Sequence, residues 1–103
     1  MIVIRTRNMG YKDYGVTDEE KEAVIAYCRS DHELKEQIIS CAMLEQDPYI
    51  AQFLILSITQ GRSYEKLYAK YEIAVTKEDF YAYRRKAIAD IKRFMLWYGL
   101  LHV

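Results

Sequence analysis

The sequence predicts an all-α protein, a compact five-helix bundle with a helix-turn-helix at its C-terminal end. Three observations predict it. The 103 residues hold only four glycines and one proline, a composition suited to long uninterrupted helices. Residues that favour helix starts stand ahead of apolar runs at Thr17, Asp47, Ser63 and Thr76. The segments between those runs span only a few residues, and such short linkers leave a compact all-α bundle as the only reasonable architecture.

Residues 1–16 show no helical period. Met1 to Ile4 reads as a short strand or an arm, and Gly10 and Gly15 mark flexible backbone, so 1–16 is taken as an N-terminal arm. Residues 17–103 form a single helical domain. Thr17 caps the first helix, with Glu20 three residues on in capping-box register and Asp18 and Glu19 suiting the positive end of the dipole. That helix runs to about Arg29 with Ala23, Val24, Tyr27 and Cys28 inward. Ser30 and Asp31 break it and re-cap the chain.

A second helix over about 32–46 lines up Leu34, Ile38, Cys41, Ala42 and Glu45. Asp47-Pro48 restarts the chain, a cap followed by proline at the first helical position. The third helix, about 48–60, is apolar nearly all round and so predicts a buried central helix, ended by Gly61. Ser63 caps a fourth helix whose Tyr64, Leu67, Tyr68 and Tyr71 make one stripe. Residues 72–76 interrupt it, with Val75 expected to seal the turn. The fifth helix runs from about Lys77 to Trp97 or Tyr98, before Gly99. Its inward side is read as Phe80, Tyr83 or Ala87, Ile88, Ile91, Phe94, Met95 and Tyr98.

Composition narrows the function classes. The 51% apolar content excludes a disordered chain, and no run is apolar and long enough to span a membrane. MIVIRTR is too short and too soon charged for a signal peptide. Cys28 and Cys41 lack ligand spacing and read as reduced core thiols of a cytoplasmic protein. His32 reads as a helix-start residue and His102 has no partner in sequence, so no catalytic set, metal site or cofactor is expected and the chain is read as a non-enzyme.

Charge points to an anionic partner. The total is zero, yet residues 1–61 hold six Lys/Arg against ten Asp/Glu and residues 62–103 hold nine against five. The halves therefore carry about −4 and +4, which suggests one face for a polyanion. In a helix-turn-helix the second helix presents its first turns to the major groove. Lys77, Glu78, Tyr81, Ala82, Arg84 and Arg85 would form that face here. Lys77, Tyr81, Arg84 and Arg85 are read as DNA-binding, and Lys66 and Lys70 on the fourth helix as phosphate contacts.

The run VTKEDFYAYRRKAIADIKRF resembles the promoter-reading C-terminal domain of primary sigma factors. The match covers about Ser63 to Phe94, through Ser63, Leu67, Val75, Thr76, Phe80, Tyr83, Lys86, Ala87, Ile88 and Ile91. The whole chain is similar to small phage and prophage regulators of the ArpU-like and RinA-like kind. It departs from the sigma pattern in having Tyr81 and Ala82 on the groove side and no glycine in a slightly longer break. The resemblance implies a sequence-specific regulator of transcription that binds double-stranded DNA. The acidic N-terminal helices would then be scaffold and a contact for RNA polymerase or a second subunit. The rival reading is a small helical interaction module, using its tyrosines and the Trp97–Leu101 tail.

Overall fold

Four of the five α-helices begin where a side chain satisfies orphan amides of the first turn. The computed structural model describes residues 8–101, and Met1 to Ile4 lie outside them. Five α-helices follow a 3-10 turn at Tyr11–Tyr14: α1 is Asp18–Cys28, α2 Lys35–Met43, α3 Pro48–Gln60, α4 Tyr64–Tyr71 and α5 Lys77–Trp97. Among the described residues there is no strand. The Cα radius of gyration, 13.4 Å, is that of one compact domain of this length.

The caps at Thr17, Asp47, Ser63 and Thr76 form as the sequence predicts, whereas the re-cap expected at Ser30 and Asp31 does not: α2 starts after Leu34, which makes no side-chain cap. Thr17 Oγ accepts from the Glu20 amide at 3.1 Å, and Glu20 Oε1 accepts from the Thr17 amide at 2.9 Å, a complete capping box. Asp47 Oδ1 accepts from the amides of Tyr49 and Ile50. Ser63 and Thr76 each accept from the amide three residues on. Gly61, at φ 68°, takes the left-handed position that ends α3.

Two boundaries differ from the sequence reading. α2 covers Lys35–Met43 rather than about 32–46, because side chains satisfy the backbone on both flanks. Before it, Ser30 Oγ accepts from the His32 amide and His32 Nδ1 from the Leu34 amide, which holds 31–34 as a turn. After it, Gln46 Nε2 donates to the Ala42 carbonyl at 3.0 Å.

The central helix is α5, not α3. It packs against α1, α2, α3 and the 3-10 turn. Phe80, Ala82, Ala87, Ile88, Ile91 and Met95 are buried along it, so burial runs over more than one side. α3 keeps Ile55 partly in solvent. Tyr98, expected inward, is exposed at the end of α5, where Gln37 Nε2 donates to its hydroxyl. Gly99 then turns the chain at φ 67°, and the Leu100 amide reaches the Met95 carbonyl. Leu100 and Leu101 thereby fold onto the core while Trp97 remains 73% exposed.

Residues 8–16, read as part of an arm, form a strap along α5. Val16 is buried, and Lys92 Nζ donates to the Gly15 carbonyl at 2.7 Å and to Glu20 Oε2 at 2.8 Å. The Lys92 hydrogen bond, then that of the Thr17 amide, holds the Glu20 carboxyl below its ordinary value. The strap, α1 and α5 are thus tied at one point. Cys28 is fully buried and its thiol is pushed up to about 11 by desolvation, while Cys41 is half-buried; both are free.

The break between α4 and α5 is built from tyrosines. Tyr64 donates its hydroxyl to the Val75 carbonyl at 2.6 Å, and the Ala74 amide donates to the Tyr49 hydroxyl at 2.9 Å. Ile73, 2% exposed, is the side chain that seals the turn; Val75, expected in that place, is half-buried. Glu72 ends α4 in the left-handed region, φ 50° and ψ 53°. That conformation costs an L-residue about 1–2 kcal/mol, against about 0.4–1 kcal/mol of extra unfolded-state freedom for glycine. Glu72→Gly should therefore raise stability by about 0.5–1 kcal/mol, read from the urea midpoint. A fall of that size would mean the left-handed strain is relieved some other way.

Candidate nucleic-acid interface

The start of α5 carries three of the predicted residues on one stripe. Lys77, Tyr81 and Arg85 recur at i, i+4 and i+8, so they stand above one another on the same side of the helix. With Glu78 and Asn8 they line an open concave surface of about 460 Å³. Thr76 caps the helix directly beside it.

Each of the three is held. Tyr81 packs edge-on against Phe80 with ring centroids 5.5 Å apart. Its hydroxyl accepts from the Tyr64 amide at 3.2 Å, which leaves the hydroxyl hydrogen available as a donor. Lys77 pairs with Glu65 at the start of α4. The hydrogen bond between them holds the Glu65 carboxyl below its usual range and raises Lys77. Both side chains are about 60% exposed, so solvent screens the pair and it contributes little to stability. Arg85, half-buried, donates from Nε to the Met9 carbonyl at 2.9 Å.

Three neighbours on α5 face elsewhere. Arg84 donates from Nε to Ser57 Oγ at 3.0 Å, and Ser57 is 2% exposed in α3. Arg84 therefore braces α3 against α5 instead of joining the stripe. Ala82, expected on the groove side, is 1% exposed in the core. Its position is one residue from Tyr81, and about 100° of helical rotation carries it inward. Lys86 donates to the Glu45 carbonyl and to Asp90 Oδ2, both at 3.0 Å.

Lys66 and Lys70 are exposed on α4, as a phosphate contact requires, and Lys70 lies over the Tyr71 ring at 5.3 Å. The structure does not bring them to the concave surface lined by Lys77, Tyr81 and Arg85. α4 itself is fixed to α5 by the Tyr64–Phe80 ring contact, centroids 5.6 Å apart. Tyr68 and Tyr71, read as an inward stripe with Leu67, are 51% and 40% exposed.

The sequence reading missed Asn8 and the Met9 carbonyl. A backbone carbonyl sixty and more positions away leaves no side-chain signature. Among the described residues no group of His, Cys, Asp and Glu could hold a metal ion, and no helix is long and apolar enough to cross a membrane. No family model, curated protein or solved structure matches this chain, so the arrangement of α4, its break and the first turns of α5 carries the functional reading.

Proposed function

We propose that this protein is a sequence-specific DNA-binding regulator of transcription, of phage or prophage origin, acting in the cytoplasm without enzymatic activity. The observation that carries the reading is the stripe of Lys77, Tyr81 and Arg85 on a concave surface beside the capped start of α5. An exposed lysine, a tyrosine hydroxyl and an arginine fork are donors suited to phosphates and base edges. The excess of cations after residue 61 supports the same reading. In it, α4 and α5 act as a helix-turn-helix, and Lys66 and Lys70 hold phosphates. The acidic α1 contacts RNA polymerase or a second copy, with α2 as scaffold.

A second reading, a helical interaction module without DNA binding, has its own support. Leu96 and Trp97 are 50% and 73% exposed at the end of α5, more apolar surface than a solitary domain needs to show.

Retention of a random duplex library at low and near-physiological salt separates the two. A DNA regulator should enrich one motif at both, with affinity falling steeply as salt rises. Lys77→Ala should weaken every duplex and make the log–log salt slope shallower by about 1. Arg84 is left intact in this test, because its bond to Ser57 makes it part of the packing. Absence of retention at both salts would turn the search to protein partners.

A further inference from the structure

We propose that Arg85 reads a single guanine and that the Met9 carbonyl positions it to do so, an inference that rests on the DNA-binding reading. The donors of a guanidinium lie in one plane, and a guanine in the major groove offers O6 and N7 to two parallel N–H groups. An arginine used this way must present one edge outward and keep it there.

Arg85 meets that condition through its Nε. The Nε–H donates to the Met9 carbonyl at 2.9 Å, which fixes the plane of the group. The two terminal amino groups form the edge remote from Nε, and Arg85 lines the concave surface with Lys77, Glu78 and Tyr81. Ordering a long side chain before binding removes part of the rotamer cost of binding.

The other cations of α5's first half are occupied differently. Arg84 is tied through Nε to the buried Ser57. Lys86 is spent on Asp90 and the Glu45 carbonyl. Lys77 pairs with Glu65 and is an ammonium, a point charge better suited to phosphate than to two parallel acceptors. Arg85 is the one whose fork and placement together suit a base.

The positioning carbonyl is itself well held. Asp13 Oδ2 accepts from the Gly10 amide at 2.7 Å, directly after Met9. The Val16 amide bonds the Tyr11 carbonyl, and Gly15 is tied to Lys92 on the same helix. The strap is thus pinned at both ends to α5, and it delivers one carbonyl to one guanidinium.

The test uses the full chain and the duplex it selects from a random library, then a panel in which each base pair of that duplex is changed in turn. The parent should lose roughly ten- to a hundredfold in affinity when one G·C pair is replaced. Arg85→Ala should abolish that preference and leave discrimination at every other position as it was. Arg85→Lys, which keeps the charge, should restore overall affinity but not the preference. Asp13→Ala, at a residue that does not line the concave face, should reduce discrimination at the same pair while thermal unfolding stays near that of the parent. A uniform loss across the panel for Arg85→Ala would overturn the assignment and make Arg85 a phosphate contact, with DNA binding standing. Unchanged discrimination in Asp13→Ala would overturn the positioning role of Met9. If the parent selects no duplex at all, the DNA-binding reading fails and this inference with it.

Discussion

Phe80→Ala is expected to cost about 3–5 kcal/mol, the range for deleting a fully buried aromatic ring. Phe80 is 0% exposed and stands where α4 meets α5. Its ring touches Tyr64 and Tyr81, with centroids 5.6 and 5.5 Å away. Removing it leaves a cavity that α3 cannot fill without moving, since Leu54 and Ile58 are themselves fully packed. It also frees Tyr64, whose hydroxyl and amide hold the Val75 carbonyl and the Tyr81 hydroxyl. A domain of this size has about 5–15 kcal/mol of stability in all, so the loss would be visible as a large fall in the urea midpoint. A cost below about 1 kcal/mol would show that α4 is held to α5 by something other than this ring.

Asp90→Ala is expected to cost about 2–4 kcal/mol, for a different reason. Asp90 is 8% exposed and its Oδ2 accepts from Gln46 Nε2 at 2.6 Å and from Lys86 Nζ at 3.0 Å. Arg93 lies 3.5 Å from Oδ1. The carboxylate thus joins the turn after α2 to α5 and neutralises two cations. Deleting it leaves the half-buried Lys86 ammonium without its counter-charge, with only the Glu45 carbonyl to accept from it, and leaves Gln46 Nε2 with only the Ala42 carbonyl, while Gln46 Oε1 already lacks a partner among the described residues. Asp90→Leu combined with Lys86→Met should recover most of the loss, because both ends of the interaction are then apolar. If the double change were worse than Asp90→Ala alone, overpacking rather than lost pairing would be the cause.

The parts of the fold that could be read from sequence are those decided by neighbours in the chain. Thr17 with Glu20, Asp47 with Pro48, Ser63, Thr76 and Gly61 act within one turn, and all sit where local chemistry places them. The parts that could not be read are those decided by what packs alongside. A period assigns one inward stripe to a helix, but α5 is touched by α1, α2, α3 and the strap. More than one stripe is therefore covered, and Ala82 went inward while Tyr98 stayed out. Arg84 and Arg85 are adjacent in sequence and equal in chemistry. Only the positions of Ser57 and Met9 distinguish them, and neither carries a signal in the run RRK.

The double duty of α5 has a consequence for how this protein could change over generations. Its inward residues, Ala87, Ile88, Ile91 and Met95, hold four other elements together, while Lys77 and Glu78 look outward from the same rod. In the proposed DNA-binding reading, substitutions at the outward positions alter what is recognised and leave the rod where it is. New preferences can therefore be tried at small expense in foldedness, typically within about 0.5 kcal/mol at such sites. Arg85 is the exception. In the proposed reading its bond to Met9 ties base preference to the lie of the strap, so a change there asks for a second change 76 residues away in the chain.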